Sequence, residues 1–307
     1  MRNYYRVMLG KKSVFAQECF DGGFIGVDFL NDIDLSAELP DNWRHFNRKY
    51  IPVCISKEPG KTRIGAGLAC GFLWTVCKGI NEKDIVLCPD GQGAYRVGEV
   101  YGSYYFKPQT SLPHRRKVSW LAKSIQRTDM SEALRNSTGS TGTVSKISQY
   151  HDEIDRLLRD DVPQLISTDP VIEDPSAFAM EKHLEAFLVE NWDQTELAKE
   201  FTIIEEDGEQ VGQQYQTDAG PIDILAVSKN RKKLLVVELK RGRASDVVMG
   251  QLLRYMGFIK ENLAEPDQAV EGAIIALEDD QKMRWAMSMV TGVKFYRYKI
   301  DFRLVSN

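Results

Sequence analysis

Apolar residues recur along this chain with two different periods, and the change between them divides it. Up to about residue 130 the apolar stretches are short, at residues 4–9, 24–29, 51–55, 84–88, 95–105 and 117–121, and Gly, Pro, Asn or Asp separates most of them. That rhythm predicts the strands of a small barrel or strongly curved sheet. Asn136-Ser137-Thr138-Gly139-Ser140-Thr141-Gly142-Thr143 has no face to bury and predicts a linker. Over residues 145–159 the period lengthens, and Ile147, Ile154, Leu157 and Leu158 mark one side of a charged helix. A further helix is announced by Asp174 as N-cap and Pro175 in its first turn. Its stripe is Phe178, Leu184, Phe187 and Leu188, and Glu181 falls on that stripe. Two runs rich in β-branched residues follow, 220–227 and 234–240, joined by a charged turn, and they predict a hairpin. A helix over about 244–262, a strand at 269–277, a helix at 280–290 and a strand at 293–298 complete the pattern. The order α-β-β-α-β-α-β predicts an α/β domain with a mixed central sheet and flanking helices. The expected division is a β-rich domain over 1–135, a linker and connecting helix over 136–173, and an α/β domain over 174–307.

Composition narrows the picture. A chain of 307 residues, 43% hydrophobic, has room for two domains of about 150 residues with cores of their own. No stretch approaches the ~18 apolar residues that span a bilayer, so no membrane partner is expected. Met1-Arg2-Asn3-Tyr4-Tyr5 lacks the apolar core of a secretion signal, and five cysteines without metal-like spacing read as reduced thiols of a cytoplasmic protein. The net charge of −4 hides two basic runs. From 107 to 127 there are Lys107, Arg115, Arg116, Lys117, Lys123 and Arg127 with no acid, and Lys229, Arg231, Lys232, Lys233, Lys240, Arg241 and Arg243 surround the hairpin. Together they predict a track for a polyanion, with Arg115, Arg116, Lys117, Arg241 and Arg243 as phosphate contacts. The glycines at 65, 67 and 71 lack the strand-turn-helix unit and the acid of a dinucleotide loop.

The hairpin carries the chemistry. Side chains alternate along a strand, so Glu238 and Lys240 share a face and Leu239 points the other way. Two carboxylates and an ammonium among buried strands cost several kcal/mol unless a counter-charge compensates, and a divalent metal does so. Asp223…Glu238-Leu239-Lys240 resembles the PD-(D/E)xK nuclease superfamily, specifically its NucS-type endonuclease domain. The likeness extends over about 181–298, through Glu181-Lys182-His183-Leu184-Glu185, Gly220-Pro221-Ile222-Asp223, Val237-Glu238-Leu239-Lys240-Arg241-Gly242-Arg243 and Gly250-Gln251-Leu252-Leu253-Arg254-Tyr255. The family's "ENP" reads Glu190-Asn191-Trp192 here.

The resemblance implies a catalytic set of Asp223, Glu238, Lys240, Glu181, Gln251 and Tyr255. Mg²⁺, with Mn²⁺ as a substitute, would lie on Asp223, Glu238, the Leu239 carbonyl and Glu181, with Glu185 as the alternative helix acid. It also implies DNA as partner and substrate, and is compatible with a homodimer. In the first half, residues 83–90 and 95–100 resemble the paired strands of PUA-like barrels, related to EVE and YTH modules that read bases in aromatic pockets. Trp43, Trp74, Tyr95, Tyr104, Tyr105 and Trp120 are the aromatics available for such a pocket. These likenesses imply a DNA endonuclease of restriction or defence recognising modified or marked DNA. The alternatives are mismatch or branched-DNA repair, a non-catalytic nucleic-acid binder on a nuclease fold, and RNA as the ligand.

Overall fold

The computed structural model describes residues 2–139, 142–159, 184–206, 209–217 and 219–299. Two compact units, Met1–Asp169 and Pro170–Asn307, each carry a sheet of their own. The first unit contains β1 (Tyr4–Val7), α1 (Ala16–Gly22), β2 (Phe24–Val27), α2 (Trp43–Lys57), α3 (Arg63–Trp74), β3 (Ile85–Pro89), β4 (Ala94–Phe106), β5 (His114–Gln126), α4 (Glu132–Thr138), β6 (Val144–Lys146) and α5 (His151–Arg159). Its strands pair in the order β2-β5-β4-β3-β1-β6. Register shifts between Arg96 and Gly98 and between Val100 and Tyr104 bend the long β4–β5 ribbon.

Two expectations need correction here. Residues 51–55 are not a strand; they lie inside α2. Asn42 caps that helix by accepting from the Arg44 and His45 N–H groups, and Phe46, Tyr50, Ile51 and Cys54 bury one face at helical spacing. Nor do residues 136–143 stand apart as a linker, and the helix expected over 145–159 is confined to α5, after β6. β6 pairs with β1, and Leu134, Ile147, Tyr150 and Ile154 join Tyr4, Ile85, Tyr95 and Val97 in one core. The small polar residues serve the end of α4, where the Thr138 hydroxyl donates to the Leu134 carbonyl at 2.8 Å. The glycine cluster is the interior of α3, and a Cβ at Gly71 would sit 2.7 Å from the Trp43 ring.

The second unit contains a helix over residues 184–190 (α6), β7 (Phe201–Ile203), the small pair β8 (Glu205–Glu206) and β9 (Glu209–Gln210), then β10 (Gln213–Thr217), β11 (Gly220–Ser228), β12 (Lys233–Ala244), α7 (Asp246–Asn262), β13 (Ala269–Asp279), α8 (Gln281–Met289) and β14 (Val293–Arg297). The order is β10-β11-β12-β13-β14, with β7 also on β11. The β10–β11 and β11–β12 ladders are antiparallel; β12–β13 and β13–β14 are parallel. This is the mixed sheet with flanking helices that the pattern predicts.

One face of the sheet packs Ile224, Ala226, Leu235, Val237, Leu239, Ala273 and Ile275 against Leu184 and Leu188 of α6. Trp192, where the family has proline, fills this core and donates its indole N–H to the Phe201 carbonyl at 3.0 Å. The other face meets α7 closely enough that a Cβ at Gly272 would lie 2.7 Å from Met256 Sδ and 2.8 Å from Leu252 Cδ2. Between β11 and β12 the chain reverses over Ser228–Lys233. The Ser228 hydroxyl accepts from the Lys233 N–H at 2.9 Å, and Arg231 takes a left-handed φ of 59°.

Candidate active site

Strand register brings the predicted acids together. Ile224 pairs with Val237 in the β11–β12 ladder, so one step further along the same register Asp223 faces Glu238. Directly opposed residues share a face of the sheet, with Cβ atoms about 4.5–5.5 Å apart. Val236, two residues before Glu238, pairs with Gly272, so this is the face covered by α7. Glu238 is 1% exposed, and the Lys240 ammonium stands 3.4 Å from its Oε1. The Leu239 N–H donates to Asp223 Oδ2 at 2.8 Å, which ties the two strands at the site. Just beyond Lys240 the β12–β13 register shifts before Arg243, a bulge that ends the regular ladder beside the acids.

The helix face above supplies Gln251 and Tyr255, one turn apart. Gln251 Nε2 donates to the Tyr255 hydroxyl at 3.3 Å. Burial pushes the Tyr255 phenol above its ordinary pKa of 10.0; the Gln251 hydrogen bond opposes this, and the negative charges of Glu238 and Asp223 add to the rise. The phenol therefore stays protonated at neutral pH and acts as a donor. Gly220, at φ 115°, approaches the same hydroxyl, and a Cβ there would lie 2.9 Å from it. Both the backbone conformation and the contact demand glycine.

From the opposite side α6 contributes Glu185, which is 4% exposed. Its Oε1 accepts from Gln213 Nε2 at 2.7 Å, and its Oε2 accepts from Gln214 Nε2. The same Gln214 nitrogen donates to Asp223 Oδ1 at 3.2 Å, so Glu185 lies one side chain away from the acid pair. Glu181 lies outside the described residues, as do Asp174, Pro175 and Phe178. Sequence reasoning missed Gln213 and Gln214. The only signal was Tyr215, a single large apolar residue, 2% exposed, in a run of polar ones.

Hard oxygen donors of this kind suit Mg²⁺, which needs only one or two protein carboxylates and keeps several waters. Among the described residues there is no group of three or more His, Cys, Asp or Glu that could hold a metal ion.

The expected phosphate contacts divide. Arg115 and Arg116 are corrected: at 3% and 5% exposure they are interior residues. Arg115 lies 3.8 Å over the Phe24 ring, donates to the Leu112 carbonyl and pairs with Glu18 at 3.2 Å. Arg116 donates to the carbonyls of Gly102 and Ile80. Guanidinium groups spent on backbone carbonyls serve the fold. Lys117 is exposed, Arg243 forms a surface pair with Glu278 at 3.1 Å, and the Arg241 carbonyl accepts from the Tyr298 hydroxyl. The six aromatics are spread over several contacts: Trp43 stacks on Trp74, Tyr104 on His114, Trp120 meets Phe20 edge-on, Tyr95 belongs to the core, and Tyr105 pairs with Arg115 in the β4–β5 ladder. Among the described residues no helix is long and apolar enough to cross a membrane.

Comparison with known proteins divides the chain in the same way. Residues 5–148 match a family described as a domain of unknown function, DUF8426, and residues 180–299 match the endonuclease NucS C-terminal domain. No curated protein matches the chain. Among solved structures it is similar to an EndoMS–dsDNA2 complex at 13% identity, covering 68% of this chain and 62% of that one, with a TM-score of 0.31. It is also similar to a repair endonuclease from Pyrococcus abyssi (15% identity, 67% and 78% covered, TM-score 0.32) and to EndoMS in apo form (11%, 69% and 76%, 0.30). The chain thus spans 62% of the length of the EndoMS chain in that complex. Superpositions this loose say nothing about how the parts are arranged; the likeness rests on the family match, which takes in every member of the acid cluster. Residues 180–299 form a NucS-like domain, matching the family described as the endonuclease NucS C-terminal domain.

Proposed function

We propose that this protein is a metal-dependent DNA endonuclease of the PD-(D/E)xK type, with Asp223, Glu238 and Lys240 at its centre. The observation that carries this reading is the opposition of Asp223 and Glu238 on one face of the sheet, with the Lys240 ammonium 3.4 Å from Glu238, inside a domain matched by the NucS family. Asp223, Glu238 and the Leu239 carbonyl would hold Mg²⁺ or Mn²⁺, and Glu185 is the described helix acid nearest to them. The metal supplies a polarised water and charge neutralisation at the scissile phosphate. Lys240 orients the attacking water and offsets the negative charge that grows on the phosphoryl oxygens. Tyr255, held protonated, donates to a phosphate oxygen, and Gln251 fixes its hydroxyl. Arg241, Arg243 and Lys117 would contact the DNA backbone.

The first unit selects the DNA to be cut, and restriction of modified or marked DNA is the biological role we favour. The alternative, repair of mismatched or branched DNA, predicts a different substrate. Cleavage of a panel of unmodified, modified, mismatched and branched duplexes in Mg²⁺ or Mn²⁺ separates them. Asp223→Asn, Glu238→Gln and Lys240→Met should each lower cleavage at least about 100-fold, and chelation by EDTA should abolish it. Undiminished cleavage in all three variants removes the catalytic assignment. DNA binding without cleavage under any divalent metal would favour a non-catalytic binder, and preferential RNA binding would change the substrate class.

A further inference from the structure

The residue that joins the two groups of acids is Gln214. It lies on β10 between two paired positions, Gln213 with Ile224 and Tyr215 with Ile222, so it stands opposite Asp223. Gln214, Asp223 and Glu238 thus form a row across three strands. Its φ is 49°, a left-handed conformation that costs energy for any residue with a Cβ and that glycine or asparagine adopts more readily. A long amide side chain at such a position implies a task for the side chain.

That task is visible in the hydrogen bonds. The Gln214 NH₂ donates one hydrogen to Glu185 Oε2 and the other to Asp223 Oδ1, the latter at 3.2 Å. The second oxygen of Asp223 accepts from the Leu239 N–H at 2.8 Å, and the second oxygen of Glu185 accepts from Gln213 at 2.7 Å. Each oxygen of both carboxylates therefore has an assigned donor, which fixes the planes of both groups. The Gln214 main chain is braced in turn, since its carbonyl accepts from Gln216 Nε2 at 3.0 Å. The neutral Gln214 amide holds the two carboxylates without adding positive charge; a lysine reaching the same oxygens would compete with a cation for them.

We propose that Gln214 is a positioning residue for the metal centre. Its amide sets the plane of the Asp223 carboxylate, and it holds Glu185 alongside. This rests on the endonuclease reading of the same site. Outer partners of metal ligands commonly set affinity by about 10–100-fold.

The test uses the full-length protein and Mn²⁺ alone as probe, with binding followed by titration calorimetry and by electron paramagnetic resonance of free Mn²⁺. Gln214→Asn suits the left-handed backbone but withdraws the amide by one methylene; Gln214→Met keeps the length and removes the donors. Both should weaken Mn²⁺ binding about 10–100-fold, with the Asn variant melting no lower than the wild type. Cleavage by the Asn variant should recover at raised Mn²⁺, a response that a general loss of folding would not give. Wild-type affinity in both variants overturns the role of Gln214 and leaves the nuclease reading standing. Failure of the wild type to bind Mn²⁺, with or without duplex DNA, overturns both.

Discussion

His114 is fully enclosed, and its neighbours suit the neutral ring. The Leu35 N–H donates to the Tyr104 hydroxyl at 3.3 Å, that hydroxyl donates to His114 Nδ1 at 2.9 Å, and His114 Nε2–H donates to the Leu30 carbonyl at 3.2 Å. Burial holds the imidazole below its ordinary pKa of 6.5, against smaller opposing effects of the Leu30 carbonyl and Asp34. Above that pH both folded and unfolded chains carry a neutral ring. As the pH falls below it, the unfolded chain takes up a proton that the folded one resists, so stability is lost between 6.5 and the lower folded value. The denaturation midpoint of the first unit should fall from pH 7.5 to 5.5, by at most about 1.4 kcal/mol per pH unit for this group. The fall should be smaller in His114→Gln. At this scale the sequence is uneven. Asp223, Glu238 and Lys240 were legible because polar residues interrupt apolar strands. Arg115 and Arg116 were not: a guanidinium is buried or exposed according to whether carbonyls such as those of Ile80 and Gly102, distant in the chain, come to meet it.

Elements were legible where their own periodicity decided them. The hairpin of β11 and β12 and the helix α7 depend on runs of ten or so residues whose apolar positions agree with the final burial. β10 was invisible because it is a polar edge strand with one anchoring tyrosine, and its place comes from β11 rather than from itself. Residues 51–55 look extended in isolation, and only the cap at Asn42, nine residues earlier than Ile51, and the burial of Phe46 and Tyr50 reveal the helix. The α7–sheet contact offers a direct test of packing. Gly272 leaves no room for a side chain between Met256, Leu252 and Val293, so Gly272→Val should lower stability by about 1–3 kcal/mol in urea denaturation. A neutral result would mean that α7 lies further from the sheet than described.

The molecule as a whole is two cores, one in each of the units Met1–Asp169 and Pro170–Asn307. α4 and α5 belong to the first core because Ala133, Leu134, Ile154, Leu157 and Leu158 pack into it, and β6 joins by pairing with β1. Calorimetry of the full chain should resolve two transitions. Mn²⁺ should raise one of them by mass action, and Gly272→Val should lower that same one while leaving the other in place. A single transition shifted by both treatments would show one cooperative body instead. The turn at Ser228–Lys233 takes no part in the chemistry, yet it sets how far β11 and β12 are offset. A slip of one residue between β11 and β12 would send Glu238 through to the α6 side, away from Asp223. Ser228 and Asn230 thus work as a ruler, their side chains fixing the turn that starts β12 opposite β11.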